Sequence, residues 1–206
     1  MNFEGFTKKD FDVFQIDGLE NRMNALISEI RPKLEFLGTY FSPMLSSLTG
    51  EEMYAHVAKH ARRTVHPPKD TWVAFAPNPR GYKMVPHFQI GLWETHVFVW
   101  YALIYEATMK QEIGKKLEKH LDEIFIRTPG HFVWSMDHTK PDAVKHTELS
   151  KEELQNMFIR LQKVKKAEIL CGIHLQRDQV LQMSGDQLID IFESAFTTLL
   201  PLYKLS

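Results

Sequence analysis

Apolar residues recur every three to four positions after Thr108, at Ile113, Leu117, Leu121 and Ile124, with Lys115, Lys116, Glu118, Lys119 and Asp122 between them. That spacing turns one stripe of a helix toward a core and leaves the opposite side wet. The same period follows Ser150, at Leu154, Met157, Phe158 and Leu161, and Ser184, at Leu188, Ile191, Phe192, Ala195 and Leu199. An earlier helical region, residues 18–48, carries Leu19, Met23, Leu26, Ile27, Ile30 and Leu34, and Pro32 and Gly38 are expected to divide or bend it. Helix starts are marked by a hydroxyl followed three residues later by Glu or Gln, a pair that reciprocally satisfies free N–H groups. The pairs are Thr49/Glu52, Thr108/Gln111, Ser150/Glu153 and Ser184/Gln187.

Between these segments the period falls to two and aromatic and β-branched residues gather, which predicts strands over 71–76, 83–92, 95–105, 131–137 and 168–175. The first three are joined by short turns, so an antiparallel meander is the economical pairing. The order of elements predicts an α+β fold, an antiparallel sheet of about five strands packed with helices, as one domain over residues 1–206.

Composition bounds the rest. A chain of 206 residues, 44% hydrophobic and 25% charged, is long enough to bury a core without a disulfide or structural metal. Its one cysteine, Cys171, suits a reducing compartment and alternates with Ile169 and Ile173, as a small buried hydrophobe would. The N-terminus lacks the pattern of an export signal, and the longest apolar run, residues 97–105, is too short to span a bilayer. The expectation is a soluble cytoplasmic protein. A net charge of −1 does not favour nucleic acid or an anionic membrane as partner.

Charge is unevenly spread. From His56 to His87 the fixed cations are Lys59, Arg62, Arg63, Lys69, Arg80 and Lys83, against Asp70 alone. Arg80-Gly81 stands in a turn before a strand whose Met84, Phe88, Ile90 and Leu92 would mainly face the core while Lys83, Val85, His87 and Gln89 face outward; Pro86 implies an edge, a bulge or a strand that begins after it. In the segment after Thr49, His56, His60 and Arg63 would share a helix face. These features define a candidate ligand site of Arg62, Arg63, Arg80, Tyr82, Lys83, His87 and Trp93 for a small anionic molecule or an acidic partner segment. A solvated turn that keeps an edge strand soluble is the competing reading.

Two alternatives use the same region: an enzyme with His87 or His60 as general acid/base, and a nucleic-acid or protein-interaction module. His56-x-x-x-His60 invites a zinc reading, but Val57 stands where the metalloprotease pattern needs Glu. His131, Asp137, His138 and His146 are scattered chemistry-bearing groups with no spacing that makes a site. Neither a metal nor a cofactor is assigned. Trp72, Trp93, Trp100 and Trp134 lie in apolar strands, where core packing explains them.

Residues 12–20, DVFQIDGLE, the nearby RPKL at 31–34, and RGYK..PHF.IGLW over 80–93 resemble the YktB-like family of uncharacterised proteins from Gram-positive bacteria. The resemblance runs over most of the chain and implies an α+β domain of the same design. It brings no catalytic residue with it.

Overall fold

The computed structural model describes residues 3–206. The chain opens with α1 (Lys8–Asp12) and a 3-10 turn (Val13–Gln15), then enters a long helical run: α2 (Leu19–Ala25), a π-helical turn (Leu26–Ile30) and α3 (Arg31–Thr49). The widened turn sits just before Pro32, which has no N–H to donate and whose ring crowds the preceding turn. The expected disturbance at Pro32 therefore appears as a local change of pitch. Gly38 serves packing, because a Cβ there would stand 3.0 Å from Ala55 Cβ, where α3 crosses the sheet. The N-terminal segment is pinned to α3 by buried Asp10, which accepts from Thr7 N–H at 2.6 Å and from Lys33 Nζ at 2.5 Å.

The helix expected after Thr49 does not form. Gly50, at φ +82°, ends α3. Thr49 Oγ1 donates to Leu45 O and accepts from Glu51 N–H, so it closes one helix instead of starting another. The chain then runs extended as β1 (Tyr54–Val57) and pairs antiparallel with β2 (Asp70–Ala76). His56, His60 and Arg63 consequently share no helix face: His56 is in a strand and His60 in the following loop, at φ +51°.

The meander continues through β3 (His87–Trp93) and β4 (His96–Leu103). Strand β3 begins after Pro86, where the missing donor ceases to matter. Helices α4 (Lys110–Lys119) and α5 (Leu121–Arg127) lead to β5 (Val133–Ser135) and β6 (Val144–Lys145). A 3-10 turn (His146–Glu148), α6 (Lys151–Lys163), β7 (Ile169–Gln176), α7 (Arg177–Val180) and α8 (Gly185–Lys204) complete the chain. The sheet is antiparallel throughout, in the order β1-β2-β3-β4-β7-β5-β6. It has seven strands where about five were expected, the two additions being the short edges β1 and β6.

The two faces of the sheet differ. Val73, Phe75, Phe88, Ile90, Val99, Tyr101 and Ile173 point to one side and meet the apolar stripes of α3, α6 and α8 in a single cluster. Their alternates on the other side, Trp93, Phe98, Trp100, Ala102 and Leu170, form a smaller cluster to which no helix contributes. The expected outward face of β3 is thus buried, but beneath loops and its own aromatics.

Candidate functional site

Two hollows merit comparison. One, a cavity of about 130 Å³, lies between α5 and α8 and is lined mainly by apolar groups such as Ile124, Phe132, Leu199 and Leu202. The other, a narrow cavity of about 50 Å³, opens on the helix-free face of the sheet and combines aromatic walls with convergent polar groups. That combination characterises ligand sites.

Strand register builds the second hollow. Gly91 stands between Trp72 on β2 and Phe98 on β4, and Gln89 stands opposite Trp100. A side chain at 91 would collide with the Phe98 ring and come within 2.7 Å of Trp72 Cβ. Glycine there lets the aromatic rings close over the strand. Asp70, opposite Trp93 at the start of β2, brings a carboxyl to this wall. The Tyr82 hydroxyl accepts the Trp72 indole N–H at 3.0 Å. On the far side come Ser135, Asp137, His138 and Lys140, from β5 and the loop after it.

Asp70 is 8% exposed, and burial raises its carboxyl to about 6 despite the opposing charge of Arg63. Burial likewise pushes the Tyr82 phenol up to about 12, so it is a neutral group. His138 is held by Glu168: its Nδ1 lies 2.8 Å from Oε2, and its backbone N–H donates to the same oxygen at 2.9 Å. The carboxylate's hydrogen bond and charge outweigh burial and raise the imidazole above its ordinary range, although burial is the largest single influence.

The seven residues expected to bind ligand are divided by the fold. Tyr82, Lys83 and Trp93 line the hollow. His87 lies behind it, fully buried, its Nδ1–H donating to Val85 O at 2.8 Å and its Nε2 accepting from Gln89 at 3.0 Å. Burial pushes this imidazole down to about 4, and both ring nitrogens are engaged, so it is a fixed neutral spacer rather than an acid or base. Arg62, Arg63 and Arg80 are exposed and do not line the hollow. The basic cleft therefore does not assemble, because the helix that was to align Arg63 with the histidines is a strand followed by a loop. His60, depressed to about 4 by burial, bonds Thr71 Oγ1 at 3.2 Å and is no better placed for catalysis than His87.

Of the scattered group, His138 and Asp137 join the site with Glu168, whereas His131 is exposed. His146 is structural, accepting from Trp134 Nε1 and donating to Phe125 O. Sequence spacing missed Asp70, Gln89 and Glu168. Each reads as an ordinary polar residue at a strand start or on a strand's outer face, and only strand pairing aims it inward. Cys171 is buried on the helix-covered side with its thiol pushed up, as its alternation with isoleucines predicted.

Among the described residues no helix is long and apolar enough to cross a membrane. Residues 6–203 match the family model described as Domain of unknown function (DUF1054). A UPF0637 protein of Bacillus licheniformis is 57% identical over 201 residues, covering 98% of this chain and 95% of the relative. Another from Bacillus velezensis is 56% identical over 201 residues, covering 98% and 96%. A third, from Bacillus cytotoxicus, is 51% identical over 205 residues, covering 100% and 99%. Among solved structures, a conserved hypothetical protein from Pyrococcus furiosus aligns with a TM-score of 0.42 at 15% identity, covering 91% of this chain and 100% of that one. With relatives this similar along its whole length, all from Gram-positive Bacillus as the YktB-like resemblance implied, the chain belongs to the DUF1054/UPF0637 family.

Proposed function

We propose that the protein binds a small planar organic molecule at the mouth of the hollow on the helix-free face of the sheet, against half-buried Trp72 and Tyr82. The observation that supports this is the gathering of Trp72, Tyr82, Trp93, Phe98 and Trp100 around the polar groups of Asp70 and Gln89. Half-buried Trp72 and Tyr82 offer stacking surface with little rotamer entropy to lose, buried Trp93, Phe98 and Trp100 back them, and a few fixed polar groups set orientation. Asp70, close to half-protonated near pH 6, can donate or accept a hydrogen bond. An anionic substituent would meet Lys83 and Lys140 at the rim, each already paired with a carboxylate, Glu106 at 3.2 Å and Asp137 at 3.5 Å. These two amines carry what remains of the anion-binding expectation.

The test is ligand-dependent thermal stabilisation across purine, pteridine, nicotinamide and indole compounds, with and without acidic substituents. Trp72 is only partly buried, so Trp72→Ala is a tolerable probe. We expect at least one compound class to raise Tm in the wild type and in Arg80→Ala, and to lose most of that effect in Trp72→Ala. Stabilisation that survives Trp72→Ala but disappears in Arg80→Ala would move the site to the turn and overturn this reading, as would no stabilisation by any class.

A further inference from the structure

We propose that Asp137, His138 and Glu168 form a site for a divalent transition-metal ion at the rim of the same hollow. The inference does not depend on the hollow holding an organic molecule. One imidazole nitrogen and one oxygen from each carboxylate lie within 4.8 Å of one another. An ion with bonds of roughly 2.1 Å sets its ligand atoms about 3 to 4 Å apart, so the three groups close on it by small side-chain rotations. At present the space between His138 and Glu168 is bridged by the imidazole N–H, at 2.8 Å.

The donors are held by their neighbours, as ligands of a built site are. Glu168 is 4% exposed, and its Oε1 accepts the Tyr105 N–H at 3.3 Å while Oε2 accepts the His138 N–H. Asp137 Oδ1 accepts from Thr139 N–H at 2.9 Å and from Thr139 Oγ1 at 2.6 Å, which fixes the carboxylate plane. Its Oδ2 meets only the exposed Lys140 amine, at 3.5 Å, a contact that a dication readily replaces. Glu106 stands near enough for its charge to act on His138; its Oε1 pairs with Lys83 at 3.2 Å, and its Oε2 is buried without a hydrogen-bond partner among the described residues.

Donor chemistry selects the metal. One nitrogen with two carboxylates suits Zn²⁺ or Mn²⁺ better than the all-oxygen shells of Ca²⁺ and Mg²⁺. Three protein ligands, two of them on the wall of the hollow and Glu168 buried behind them, leave coordination positions for water or a bound molecule, the arrangement of reactive rather than purely structural sites. Asp137 and His138 line that hollow directly.

The experiment is calorimetric titration of chelator-treated protein with Zn²⁺ and with Mn²⁺ alone, together with the absorption spectrum of the Co²⁺-loaded protein. We expect one ion per chain, weakened at least tenfold in Asp137→Asn and in His138→Gln. His174→Gln, which alters the close, tilted His96/His174 pair elsewhere on the sheet, should bind as the wild type does. Should His138→Gln fail to fold, Asp137→Asn decides, since that side chain is partly exposed. Absence of stoichiometric binding of either ion would overturn the site, and so would binding that Asp137→Asn leaves unchanged. Loss of organic-ligand binding in Trp72→Ala with metal binding intact would separate this site from the aromatic one.

Discussion

Asp70 shows what burial does to one side chain. Its folded carboxyl titrates at about 6 against an ordinary 3.8, so the folded chain keeps a proton that the unfolded chain releases. Below about pH 4 both states are protonated and Asp70 costs nothing. Between about pH 4 and 6 the cost grows, and above about pH 6 it reaches its full size, on the order of 3 kcal/mol. Asp70→Asn is therefore expected to gain on the wild type by roughly that amount as pH rises from about 4 to 7 in urea unfolding. A difference between the two proteins that ignores pH would contradict the raised carboxyl. A stabilising loss of a carboxylate is also what a functional position predicts, since sites are held at some cost to stability.

At the scale of elements, the cap signals separate into those that act and those that do not. Ser150 Oγ accepts the Glu153 N–H at 3.2 Å while Glu153 Oε2 accepts the Ser150 N–H at 2.7 Å, and Ser184 and Gln187 repeat the pattern. At Thr108 the backbone N–H is instead taken by Met84 O, and α4 starts from Met109. Ser184→Ala should cost about 1 kcal/mol, and Thr108→Ala should leave α4 capped as before. Denaturant midpoints of the two variants check the contrast. Lys110 does what no local signal announced: 7% exposed, it donates to the carbonyls of Val164, Lys165 and Ala167 just beyond the C-terminus of α6. Lys110→Leu strands those carbonyls and should cost about 2–3 kcal/mol in the same measurement. The amphipathic stripes of α4, α6 and α8 were legible because a helix carries its own period. Strand β1 was not, because Met53, Val57 and Ala61 satisfy a helical spacing as well, and pairing with β2 chose between the two.

For the whole molecule, acid is the weak direction. Burial pushes His60, His87 and His96 down to about 4, and His174, beside His96, to about 3. Each stays neutral when folded but charges near 6.5 when unfolded, so its contribution is intact above about pH 6.5 and is lost as pH falls toward 4. Four such groups, with Asp70 running in the opposite sense, give a steepest loss of about 4 kcal/mol per pH unit. Urea midpoints should fall sharply between about pH 6.5 and 5, and His87→Gln should lessen the slope. A midpoint flat across that interval would contradict the buried neutral histidines.

What the sequence by itself determined is what depends on neighbours along the chain: the helix stripes, two capping boxes, the strand cores, a buried Cys171 and the α+β class. Tertiary structure alone decided which face of the sheet goes without helices, and with it which polar residues meet. Asp70, Gln89, His138 and Glu168 come from β2, β3, the loop after β5, and the residue before β7. Their convergence is set by cross-strand register and not by any period in the chain. The arginines failed to converge for the same reason: local charge density records how many cations a segment holds, whereas their direction is set by the backbone that carries them.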